Sequence, residues 1–245
     1  MNKRILSCNA QGETAVQNES GDIKKVFRVG SLVNLETRKN KIQYFFISLV
    51  VVLTLRMLEN TIHELSHGLV VVLAGGELAE NPFLITPFGG YTRWENVPSA
   101  MLPLVNIAGT LVSVLFMVGV FLPVYLKRAS RPILGWVAYW GAFVIPVNSL
   151  FYWFMAPIVG SNLSFDPIAF AVHVGIKPQW VLGLISLLPF TIAFITMCKG
   201  TRTVEKELMT DPMQFHLYCL TLYYIISIAF PVISYTGALD TLMWW

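Results

Sequence analysis

The chain has 245 residues, 55% of them hydrophobic and only 13% charged, with a formal net charge of +3 and a mean hydropathy of +0.62. Soluble domains carry roughly 25% charged residues, so the composition is that of an integral membrane protein, and the small net charge excludes nucleic acid as a partner. The three cysteines, Cys8, Cys198 and Cys219, form no Cys-x-x-Cys pair, which argues against a disulfide framework or a thiolate metal site.

Residues 1–41 mix Lys3, Arg4, Lys24, Lys25, Arg28, Arg38, Lys39 and Lys41 with Gln, Asn, Ser and Gly. They lack the apolar core of a secretory leader and are expected to form a polar arm outside the bilayer, cytoplasmic by the positive-inside rule. Residues 42–245 are expected to form one membrane domain, multi-pass in the cell's inner membrane.

The first apolar segment, residues 42–74, exceeds the ~20 residues that span a bilayer and holds a polar stripe between Arg56 and His67. A single crossing here returns the basic loops at Lys127, Arg128, Arg131 and at Lys199, Arg202, Lys206 to the cytoplasm, whereas two crossings put both outside. One long helix ending at Gly75-Gly76 is therefore predicted. Within it lies His63-Glu64-Leu65-Ser66-His67. On a helix, His63 and His67 share a face and can offer two imidazole nitrogens to one zinc ion, with Glu64 able to reach water as a general base. Thr61-x-x-Glu64 also fits a capping box. The flanking pattern favours the metal site. At about 100° per residue, Arg56, Glu59, Asn60, His63, Glu64, Ser66 and His67 fill an arc of roughly 160°, opposite Leu58, Ile62, Leu65, Leu69 and Val72. Such a stripe is costly in lipid unless it faces protein, water or metal.

Residues 77–99 hold Pro82, Pro87, Gly89-Gly90, Trp94 and Pro98, too many breakers for a helix. Residues 85–94 are read as a short re-entrant hairpin or extended element, limited to a sheet edge by Pro87. The plain alternative is an interfacial loop with Tyr91 and Trp94 as belt aromatics. Further spans are expected at residues 100–126, 133–156, 178–198 and 216–235, giving an all-α polytopic protein of about five transmembrane helices. Asn106, beside Ala108-Gly109-Thr110, is expected to bond between helices.

A hydrolytic zinc site keeps three protein ligands and an open position, so one ligand is missing. Glu77, Glu80, Glu95, Asp166, His173, His216 and Asp240 are the candidates. Asp166 is best placed, because broken backbone is tolerated at membrane depth where it lines a polar cavity. His173 is the reserve, and Glu77 and Glu80 follow the helix too closely to fold back.

The motif His63-Glu64-Leu65-Ser66-His67-Gly68, followed by Gly75-Gly76, Pro87-Phe88-Gly89-Gly90, Ala108-Gly109 and the Asn148-to-Asp166 region, resembles the site-2-protease-like intramembrane metalloproteases. The resemblance covers roughly residues 45–175, and only the first motif is specific. It implies His63, His67 and Asp166 as zinc ligands and Glu64 as the base that activates water to cut a peptide bond of a single-span or membrane-anchored protein. The sequence departs from the family where Asp166 is followed by Pro167 instead of Gly, and where Asn148 lies farther from the Asp than the family's Asn; Asn162 lies nearer. A catalytically inactive member of the fold that binds membrane segments, or a metal-binding transporter, is the alternative. A transporter should carry polar ligands on other spans, and the last two expected spans offer almost none.

Overall fold

The computed structural model describes residues 4–8, 13–17, 23–27, 38–87, 89–128, 132–159, 166–177 and 180–208. The fifth expected span, residues 216–235, lies outside them, as do Asn162, His216 and Asp240. Four helical stretches among the described residues are long and apolar enough to cross a membrane: Phe46–Leu73, Ser99–Leu126, Leu134–Phe154 and Trp180–Gly200.

The expected polar arm contains three strands, β1 (Arg4–Cys8), β2 (Glu13–Gln17) and β3 (Ile23–Phe27), paired antiparallel in chain order. Ile5 stands opposite Val16, and Val26 opposite Thr14. The all-α expectation fails here, because only a few β-branched residues, among them Ile5, Val16 and Val26, stand among the charges to signal strands.

Helix α1 (Arg38–Leu73) is continuous over 36 residues, about 54 Å at ~1.5 Å per residue, so the segment forms the one long helix expected and not two short ones. It ends where Gly75 takes φ +79°. There the Gly76 N–H donates to Val71 O at 2.9 Å and the Gly75 N–H to Val72 O at 3.1 Å. These two bonds close off carbonyls that the helix leaves without partners. Thr61 does not cap anything: it lies inside α1 and its hydroxyl donates to Met57 O. Leu58, Leu65, Leu69 and Val72 are exposed, while Glu59, Asn60, Glu64, Ser66 and His67 are buried. This inverts the arrangement of a soluble helix and is the one that a helix facing lipid would need.

Next comes a hairpin of β4 (Glu77–Thr86) and β5 (Gly89–Glu95), longer than the expected 85–94 element. Pro87 sits at the turn, not within a strand. Pro82 is the proline inside a strand, and it falls where the register breaks between Leu78 and Phe83, since a residue without an N–H belongs at a bulge. The hairpin is fixed to α1. Asn60 Nδ2 donates to Thr86 O at 2.7 Å, and Gly68 leaves room for the Phe83 ring, which would lie 2.9 Å from a Cβ there.

Helix α2 (Leu102–Leu126) packs on α1 through a one-per-turn stripe of Val105, Gly109, Ser113 and Met117. The third span comprises α3 (Pro132–Tyr139), a wide π-helical turn (Trp140–Val144) and α4 (Ile145–Val159). Pro146 has no N–H for Ala142 O, and the widened turn precedes it. This span is the central one, with 72% of its most apolar stretch buried against 22–28% for the other three. Trp136, Tyr139, Trp140, Ile145 and Val147 form its core with Val52, Leu55, Met117 and Met197. Helix α5 (Asp166–His173) lies against α2, and α6 (Trp180–Leu208) against α4.

Candidate metal centre

His63 and His67 project from the same face of α1, one turn apart, as their spacing requires. The chain then travels through the hairpin and two more spans before α5 brings Asp166 back to them. Asp166 Oδ2 lies 3.1 Å from His63 Nε2 and 3.2 Å from His67 Nε2. One possible ligand atom from each residue falls within 4.8 Å of the others. A tetrahedral ion with bonds of ~2.1 Å needs ligand atoms about 3.4 Å apart, close to the two separations measured to Asp166.

The protonation pattern also suits a cation. His67 Nδ1 is 2.7 Å from Val105 O. A carbonyl only accepts, so Nδ1 carries the proton, and in the neutral ring Nε2 is left with a lone pair. That nitrogen is buried without a hydrogen-bond partner and points at a carboxylate. Two acceptors facing each other in a dry site repel unless a proton or a cation lies between them. The Val105 contact is of the kind that fixes ring orientation in metal-ligating histidines.

Space for an ion is made by α2. A Cβ at Gly109 would stand 2.4 Å from His67 Nε2 and 2.6 Å from His63 Nε2. Any side chain there would displace both donors. The sequence placed Gly109 in a small-residue motif for helix packing; its role at the two imidazoles appears only in three dimensions.

Glu64 lies beside this group, buried between α1 and the hairpin. Gly90, Thr92 and Trp94 fall on one face of β5, since alternate residues of a strand point the same way. A Cβ at Gly90 would be 2.9 Å from Glu64 Oε1. Thr92 Oγ1 is 2.7 Å from Glu64 Oε2, and the Trp94 ring lies 6.1 Å from that of His67. Trp94 is thus part of the wall of the site, and only Tyr91, exposed with Arg93 over its ring, keeps the character of a surface aromatic.

The other candidates among the described residues do not join this group. His173 ends α5, where Nδ1 meets Asn106 Nδ2 at 3.1 Å, so Asn106 makes the interhelical bond expected of it. Glu77 is reached by Asn96. Among the described residues His63, His67 and Asp166 are the group that could hold a metal ion.

One turn before His63, a second buried carboxylate went unassigned in the sequence. Glu59 Oε2 pairs with Arg56, and Oε1 accepts from Ser149 at 2.8 Å and from Ser113 at 3.2 Å. It ties α1, α2 and α4 together. The available signal was its i−4 spacing from His63 within the polar stripe.

Compared with protein-family models, with curated proteins and with solved structures, the chain matches none.

Proposed function

We propose that this protein is an intramembrane zinc endopeptidase, with His63, His67 and Asp166 holding the ion and Glu64 acting as general base. The observation that carries this reading is the approach of Asp166 on α5 to both histidines of α1 beside a buried Glu, between two elements far apart in sequence. Two imidazoles and one carboxylate leave a fourth position open, the donor set of hydrolytic zinc sites and not of closed structural ones. Bound there, zinc would polarise a scissile carbonyl and acidify water.

The remaining chemistry belongs to the chain. Glu64 takes the proton of the attacking water and delivers it to the departing amine nitrogen, so the C–N bond breaks as the new C–O bond forms and no net proton is consumed. The α2 backbone at Gly109 crowds one side of the imidazole pair. Gly90 is exposed and its backbone lies close against Glu64, so a peptide laid along the hairpin edge would come beside the base. A substrate helix has its carbonyls bonded internally and must unwind before it can react. Pairing with an edge of the β4–β5 hairpin would hold the extended segment. The substrates are accordingly single-span or membrane-anchored proteins with Gly, Pro or other helix-weakening residues in the half of the span at the depth of the site, which the basic loops assign to the outer leaflet.

The test is processing of candidate single-span proteins in cells, with wild type beside Glu64→Gln. Cleavage that disappears in Glu64→Gln while its zinc content stays at one per chain is expected. Undiminished cleavage in that variant overturns the assignment.

A further inference from the structure

Glu64 is presented by α1, but its carboxylate is held by the hairpin. Thr92 Oγ1 lies within 2.7 Å of Glu64 Oε2 and 2.9 Å of Glu64 O. The hydroxyl has a single proton to give. The main-chain oxygen of Glu64 lies within a continuous helix and has the N–H four residues on as its regular partner. The carboxylate oxygen is both nearer and the stronger acceptor, because charge-assisted bonds are the shorter and stronger ones.

From this geometry we infer that Thr92 is the positioning residue for the general base. Its hydroxyl occupies Oε2 and leaves Oε1, beside the side-chain-free Gly90, as the oxygen that meets water. The inference rests on the peptidase reading above and adds to it the group that sets the base's orientation. Three further contacts give the hairpin the rigidity such a role needs: Phe83 against Gly68, Thr86 O on Asn60, and Trp94 beside His67. Thr92 itself is buried. A glutamate side chain loses substantial rotamer freedom when it is fixed in this way, and a base displaced by even 1 Å loses much of its effectiveness.

The experiment uses the full-length, zinc-loaded protein in detergent and acetohydroxamate as probe. A hydroxamate chelates the ion and shares its proton with the neighbouring carboxylate, so its affinity reports on Glu64 without need of a substrate. Thr92→Val, which keeps the shape and removes the hydroxyl, should weaken acetohydroxamate binding roughly tenfold, the worth of a lost charge-assisted bond, with zinc content unchanged. Thr92→Ser should bind within about twofold of wild type, because it restores the donor. On a Glu64→Gln background, Thr92→Val should add nothing, since it acts through the missing carboxylate. Wild-type affinity in Thr92→Val, or an equal loss in both backgrounds, overturns the inference while leaving Glu64 as base. If Thr92→Val fails to fold, the pair Thr92→Ser and Thr92→Ala decides the same question. Should wild-type protein bind no zinc, or bind the probe equally well after Glu64→Gln, the peptidase reading fails and this inference falls with it.

Discussion

Glu59 and Asp166 are both carboxylates set among apolar helices, yet their surroundings differ in kind. Glu59 meets only donors: the Arg56 guanidinium and the hydroxyls of Ser113 and Ser149. Asp166 meets two imidazole nitrogens, and the Val105 bond puts a proton on the far nitrogen of His67, so that in the neutral ring a lone pair faces the carboxylate. The first centre is complete as it stands and can only hold helices together. The second is balanced only when a proton or a cation lies between carboxylate and imidazole, and on that ground we propose it as the metal site. Burial of a carboxylate in a membrane helix therefore does not mark function by itself; what marks it is the mismatch between the group and its partners.

The sharpest way to break this contrast is to remove one member of each centre and compare the losses. His63→Ala or His67→Ala should take zinc from one per chain to nearly none by elemental analysis, because two remaining ligands hold it poorly. Glu59→Gln should leave occupancy untouched. Full zinc in the double histidine variant would erase the distinction between the centres. For turnover, Glu64→Gln should cost roughly 10²–10⁴-fold, the usual worth of a positioned base, with metal and fold retained.

Stability should respond in the opposite sense. Glu59→Ala removes the carboxylate shared by Arg56 and two hydroxyls and should destabilise by about 3–5 kcal/mol, as loss of one partner of a buried pair does. Unfolding in denaturing detergent would show it. Asp166→Asn, assayed after the metal is removed, should change stability far less, since it relieves a repulsion there. Comparable losses for the two would show that both centres are structural. The smallest effect is expected at the edge of the site: Gly90→Val should slow cleavage roughly tenfold through misplacement of the base and the peptide, with zinc content unaltered. Normal cleavage in that variant would make the hairpin a mere anchor.

Much was legible in the sequence because it depends on local periodicity. A run of apolar residues fixes the length of a span, and i, i+4 spacing fixes which side chains share a helix face, so α1, its polar stripe and the His63–His67 pair could be read without coordinates. Glycine and proline placed the hairpin, although Pro87, expected within an edge strand, lies at the turn and Pro82 lies in the strand, because which proline lies at a turn depends on strand register. The three short strands within residues 4–27 were missed, since their apolar residues are too few to show a period. Contacts between distant elements had no local signature. That Asp166 meets both histidines, that Gly109 abuts their nitrogens, that Thr92 holds Glu64 and that Ser113 and Ser149 close around Glu59 follow from helix packing. Packing depends on how side chains of several segments fit at once, and the order of residues along one segment does not encode that fit.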